Sequence, residues 1–390
     1  MNNDKFDFDE IVDRRHSHAV KWDKCTSDEI IPMWVADMDF KAAPCIIDVL
    51  RKRLEHEVFG YANVPEEFYD SIINWFDRRH NWRIDRNWIE YTTGVVPAIS
   101  AVLRAITTPG GNVVVLTPVY NCFFTCIKSN ECTPLEVPLT YNSDYSYSID
   151  FDALDKALAC DNTSTLLFCN PHNPVGRMWT KEELLKVNEL CLKNGVTVVS
   201  DEIHCEMMMP GHQYTPFASI SQEAQDNCIT CGSPSKSFNI AGLQAAFITS
   251  NNPDIKAKIN QALIDNQVCS INPFGLEAFM AAYNHGENWI LQLNEYIAGN
   301  FSLMRDMMNK ELPNFHITPM EGSYLAWVDV TPTGMSSAQV TQKILDDSKV
   351  LVNDGAMYGK AGEGFIRINL ATPRSIVEEA TQRIIKAMKL

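Results

Sequence analysis

From about residue 90 the chain alternates two rhythms. Short β-branched runs recur, bounded by turn residues: "NVVVLTP" (112–118), "TLLFCNP" (165–171), "VTVVSDE" (196–202), "CITCGS" (228–233) and "AAFITS" (245–250). Each is apolar on both faces, as strands of a sheet covered by helices must be. Between them lie stretches of helical period, such as "TKEELLKVNELCLKNG" (180–195), where Thr180 and Glu183 make a capping box and Gly195 a stop. This alternation predicts an α/β domain with a mainly parallel sheet. After about residue 270 the texture changes. A long helical region carrying Trp289, Leu293, Tyr296 and Met304 precedes "SYLAWVDV" (323–330) and "GFIRINL" (364–370), which read as strands of a smaller antiparallel sheet. The first forty residues fit neither rhythm and are expected to pack as an arm on this second unit. The expected division is 1–45 (arm and part of the small domain), 46–285 (large domain) and 286–390 (small α+β domain).

Composition narrows the class. The 390 residues suffice for both units, and 45% hydrophobic with 21% charged residues is an ordinary globular balance. A formal charge of −16 argues against nucleic acid or an anionic membrane as partner. The acidic opening "MNNDKFDFDE" has no apolar leader segment, and the apolar runs are too short to span a bilayer. A reduced cytoplasm is therefore expected for the twelve cysteines. The CxxC of Cys228 and Cys231 lies inside a strand run and reads as core rather than as a redox or zinc motif, and no metal site is expected.

Ligands of open α/β sheets bind beyond the carboxyl ends of the strands. Just beyond these runs stand Tyr120, Asn173, Asp201, His204, Ser233, Ser235 and Lys236. A lone lysine is usually a surface residue, and a lone aspartate often caps a helix. Together they fit one need better. A buried carboxylate wants a cation such as a protonated pyridine nitrogen, and a desolvated lysine can capture an aldehyde. That pairing describes pyridoxal phosphate. In "TTGVVPAIS" (92–100), Gly94 precedes a helix with Pro97 in its first turn, so the N–H groups of Val95 and Val96 would face a phosphate. Ser233 and Ser235 add hydroxyls.

The set "TTGVVPAIS", "NPHNPVGR", "SDEIH", "SPSKSFNIAGLQ" and "GFIRINLATPR" resembles the fold-type I pyridoxal phosphate enzymes of aminotransferase class I/II. "MWVADMDF" (33–40) and "FGYANVPEEFYDSIINW" (59–75) narrow the resemblance to the PatB/MalY type of cystathionine β-lyase, over nearly the whole chain. It implies a mixed seven-stranded sheet in a large cofactor-binding domain. It further implies that Lys236 is the Schiff-base lysine and Asp201 the pyridine partner. Asn173 would bond the cofactor's phenolic oxygen, Tyr120 would stack on its ring, and His204 would line its site. Arg367 would grip the substrate carboxylate, with Ala36, Asp37 and Asn173 beside it. Tyr61 would reach the phosphate of a neighbouring subunit, which implies a homodimer with shared sites. The implied reaction is β-elimination from a cysteine S-conjugate to pyruvate, ammonia and a thiol. Transamination, or a lyase with an added regulatory binding role, is the alternative. Two positions depart from many aminotransferases: His204 stands for a tyrosine, and Gln244 for a phosphate-binding arginine. The second leaves more of the phosphate to Tyr61 and the helix start.

Overall fold

The computed structural model describes residues 5–268 and 270–389. Its largest sheet has seven strands: β1 (Ile89–Thr92), β2 (Asn112–Thr117), β3 (Thr133–Pro138), β4 (Thr163–Cys169), β5 (Thr197–Asp201), β6 (Cys228–Gly232) and β7 (Ala246–Thr249). They lie in the order β1-β7-β6-β5-β4-β2-β3. β2 pairs in parallel with β3 and β4, β4 with β5, and β5 with β6. β7 is antiparallel to both its neighbours, so it alone runs against the rest. The five runs expected from periodicity are all strands of this sheet. The two that periodicity did not pick out, β1 and β3, are its edges. β3 carries Pro134 and Pro138, tolerable only where no second neighbour needs the N–H. β1 is four residues long and includes the half-buried Glu90.

A second sheet is formed by β8 (His316–Ile317), β9 (Leu325–Asp329), β10 (Asn353–Asp354) and β11 (Phe365–Asn369), in the order β8-β9-β11-β10 and antiparallel throughout. Among the helices, α1 (Glu66–His80), α2 (Val95–Ile106), α3 (Lys181–Lys193) and α4 (Glu287–Glu311) matter below. α3 begins at the Thr180–Glu183 capping box, and Gly195 lies just past it at φ +65°, the left-handed geometry that ends a helix cheaply in glycine. On α4, Trp289, Leu293 and Met304 are buried.

The N-terminal arm is tied down at several points. Phe8 packs on Phe40, Trp289 and Tyr296 at ring separations of 5.3, 5.7 and 5.4 Å. Ile31 and Pro32 pair in parallel with Val350 and Leu351. The fully buried Lys21 gives Asp39 a 2.6 Å bond, which Trp22 and Arg14 supplement at 2.8 and 2.9 Å. Such a buried pair is tolerable because the carboxylate's lone pairs are met by several donors. Among the described residues no helix is long and apolar enough to cross a membrane, and no cluster could hold a metal ion. Cys228 and Cys231 are unpaired core thiols of β6.

Candidate active site

The carboxyl ends of β4, β5 and β6 and the start of α2 surround a cavity of about 300 Å³. Its walls include Ala36, Gly94, Val95, Val96, Tyr120, Asn173, Asp201, His204, Ser235 and Lys236. Residues far apart in sequence meet here because parallel strands deliver their ends to one side of the sheet.

Asp201 is the last residue of β5 and is buried. Oδ1 accepts from the Ile203 N–H at 3.1 Å, and among the described residues no ion pair reaches the carboxylate. Burial pushes its pKa up to about 7; adjacent Glu202 adds to this, while the Ile203 N–H and Lys236 oppose it. An anion so placed calls for a cation at the cavity. Lys236 lies just beyond β6, and its pKa is lowered chiefly by burial and also by Arg367, against the pull of Asp37 and Asp201. Its Nζ donates to the Ala36 carbonyl at 2.7 Å. His204 is buried with Nδ1 unpartnered, and its ring meets Tyr324 edge-on at 5.8 Å. Burial, with Lys236 and Arg367 adding, lowers its pKa to about 3, so the imidazole is neutral near pH 7.

The opposite end of the cavity suits an anion. α2 starts at Gly94 with Pro97 in its first turn, and among the described residues no protein group accepts from the N–H of Val95 or Val96. These donors sit at the positive end of a twelve-residue helix. The Ser235 side chain and Gln244 line the same cavity, as does Thr93, which sequence reasoning passed over although "TTG" places it beside Gly94. Gln244 brings no charge, so within this chain the anion end is built from neutral donors.

Arg367 lies on β11, buried, and ties that strand to the loop beyond β4 and to the N-terminal segment. Nη1 donates to Asn173 Oδ1 and Nη2 to the Trp34 carbonyl, both at 3.0 Å, and the guanidinium sits 4.8 Å from the Tyr358 ring centre. Its Nε has no partner. Because Asn173 spends its oxygen on Arg367, its NH₂ remains available as a donor.

Two expected residues, Ser233 and Asp37, are placed differently, while Tyr61 was expected to serve a neighbouring subunit. Ser233 is not a wall of the cavity: its one hydroxyl proton goes to the Ala245 carbonyl at 2.7 Å, and its oxygen accepts from Ser235 N at 3.0 Å. It shapes the turn that carries Lys236. The Asp37 carboxylate turns away from the cavity to a two-bond pair with Arg14, at 2.9 Å each, so it acts on Lys236 only through charge. Tyr61 is fully exposed and touches no part of its own chain's cavity.

The donor set fits pyridoxal phosphate on these observations alone. It offers a buried carboxylate lacking a cation, a desolvated lysine, a free amide donor and a helix start with unused N–H groups.

Comparison with known proteins bears on the family of the chain as a whole. The sequence model of the aminotransferase class I and II family matches residues 29–384. Cystathionine β-lyase PatB of Bacillus subtilis is 40% identical over 385 residues, covering 98% of this chain and 99% of the relative. A pyridoxal phosphate-bound putative aminotransferase from Clostridium difficile superposes with a TM-score of 0.96 at 39% identity, over 99% of this chain and all of the other. Cystalysin from Treponema denticola, which contains pyridoxal 5'-phosphate, gives a TM-score of 0.94 at 36% identity, over 98% and 99% of the two chains. With matches of this length, the chain belongs to the aminotransferase class I and II family, in its PatB/MalY-type branch.

Proposed function

We propose that this protein is a pyridoxal phosphate-dependent carbon–sulfur lyase that eliminates a thiol from cysteine S-conjugates such as cystathionine. The observation that carries the reading is the pairing, in one cavity, of a buried carboxylate without a cation and a desolvated lysine amine. The likeness to PatB over nearly its whole length supports elimination as the outcome. Bound there, pyridoxal phosphate supplies an aldehyde that captures amines and a ring that stores the electron pair released at the substrate Cα.

The residues have separate tasks. Asp201 would keep a proton on the ring nitrogen, Asn173 would donate to the phenolic oxygen, and Tyr120 would cover the ring face. The N–H groups of Val95 and Val96, with Ser235, would hold the phosphate. Arg367 would take the substrate carboxylate in a fork that Lys cannot reproduce. The Lys236 amine, whose pKa burial lowers, would take the Cα proton in its neutral form. We assign residues 46–285 to the cofactor-binding domain and 1–45 with 286–390 to the unit that closes the substrate side. We also infer a homodimer in which the exposed Tyr61 completes the partner's phosphate site. A reducing, cytoplasmic setting fits the eleven described cysteines, all unpaired.

Transamination shares the first proton transfer and is the second reading, favoured by the family match as such. A panel of cysteine conjugates distinguishes them. Elimination yields pyruvate and one equivalent of thiol without any amino acceptor. A keto acid that retains the substrate side chain, formed only when an acceptor is supplied, would overturn the lyase reading.

A further inference from the structure

Lys236 rests on a backbone carbonyl, and that carbonyl is aimed by a residue outside the cavity. Within the segment Trp34–Asp37, Ala36 lines the cavity, and all four carbonyls are engaged. Trp34 O accepts from Arg367 and Asn353, Val35 O from Asn369, Ala36 O from Lys236, and Asp37 O from Asn369 and Lys21. One side chain sets the pattern. Asn369 Nδ2 uses its two protons on the carbonyls of Val35 (2.6 Å) and Asp37 (2.7 Å), the residues on either side of Ala36. The Asp37 N–H also bonds the Val35 carbonyl at 2.9 Å, closing a three-residue turn centred on Ala36. With its neighbours' carbonyls gathered onto Asn369, Ala36 presents its own to Lys236.

Asn369 is built to stay put. It has no exposed surface, and its Oδ1 accepts from Ala371 N at 2.8 Å. Its backbone N–H bonds Met33 O at 2.8 Å. It lies two residues beyond Arg367 on β11, hence on the same face of the strand. One strand face thus places both the guanidinium and the loop carbonyl that the amine meets.

A neutral amine has two N–H groups and one lone pair. Donating an N–H to a fixed acceptor restricts where the lone pair can point. We propose that Asn369 is a positioning residue for proton transfer: by turning the Ala36 carbonyl onto Lys236, it orients the amine that takes the substrate Cα proton. In that step the amine becomes an ammonium, and the C–H electron pair stays with the substrate. This rests on the reaction proposed above.

The test uses Asn369→Ala, and Asn369→Thr, whose hydroxyl can still hold one carbonyl. In cofactor-free full-length protein, reductive methylation of Lys236 at fixed pH is monitored by mass spectrometry. Losing the carbonyl anchor frees the amine and disfavours its charged form, so methylation should be several-fold faster than in wild type, with Thr in between. In cofactor-loaded enzyme, kcat should fall about tenfold or more with little change in KM. The isotope effect with α-deuterated substrate should rise, since proton abstraction becomes slower relative to other steps. A general packing defect would lower thermal stability without moving the isotope effect. Methylation at the wild-type rate, or an unchanged isotope effect in a folded variant, overturns the proposal. If wild type forms no pyruvate, the lyase reading fails, while the methylation arm still reads the anchor by itself.

Discussion

Asp201 costs the protein stability when no cation faces it. Its folded pKa of about 7 lies above the unfolded value of 3.8, so between those limits the folded state holds more protons than the unfolded. Stability from this group is present below pH 4 and is lost as pH rises through 7. In cofactor-free protein, the melting temperature of wild type should therefore fall relative to Asp201→Asn from pH 4 to pH 7, and level off above. In the role proposed for Asp201, loading the cofactor would put a protonated ring nitrogen beside the carboxylate, and the pH-dependent gap should close. A gap that is flat across this range in the free protein would contradict the assignment. The same scale explains two misplaced expectations. Ser233 and Asp37 stand in motifs rich in site residues, but their hydrogen bonds go to Ala245 and Arg14. Neither partner is near in sequence, so no local pattern announces it.

Helix α1 is fastened to the segment just beyond β5 through one carboxylate. Glu206 accepts from Trp75 Nε1 at 2.7 Å and Arg79 Nη2 at 3.1 Å, and pairs with His80 Nε2 at 2.6 Å. Its own carbonyl takes Asn294 of α4 at 2.8 Å. Burial alone would raise the Glu206 pKa, but His80 and Arg79 outweigh it and bring it down to about 2. Glu206→Gln removes the charge that His80 and Arg79 share, Arg79 keeping Glu287 at 3.3 Å, and should cost about 1.5–3 kcal/mol at neutral pH, read from urea unfolding. Because the folded pKa is depressed, this contribution is present above about pH 4.5 and is lost as pH falls toward 2. The difference between wild type and variant should shrink over that range. At this scale the sequence is most legible where an element sees one environment along its length. β2, β4, β5 and β6 are covered on both faces and read as apolar runs. The edges β1 and β3 do not, since half their backbone has no neighbour to satisfy and polar residues or proline are allowed.

Across the whole molecule, the exposed run Leu54, Val58, Phe59 and Tyr61 is unlike the rest of an acidic surface, and it includes the residue assigned to a neighbour's phosphate site. If sites are shared, Lys236→Ala and Tyr61→Ala chains are each impaired alone. Mixed dimers should recover up to about half of the wild-type activity per dimer, since one of the two hybrid sites keeps both residues. Verified heterodimers that recover nothing, from a Tyr61→Ala parent shown to be severely impaired, would refute the arrangement.

The chain itself determined the alternation of strand and helix, the side of the sheet on which chemistry gathers, and the residue types that meet there. Those are set by period and order, which are local properties of a polymer with two soft dihedrals per residue. Only the tertiary structure decided which polar atoms were already spent. Ser233 and Asp37 were taken by distant partners. Asn369, one polar letter inside "GFIRINLATPR", reached back 334 and 332 residues to hold the loop under Lys236. A hydrogen bond is settled by distance and by a limited stock of protons and lone pairs, and neither is written in the neighbouring sequence.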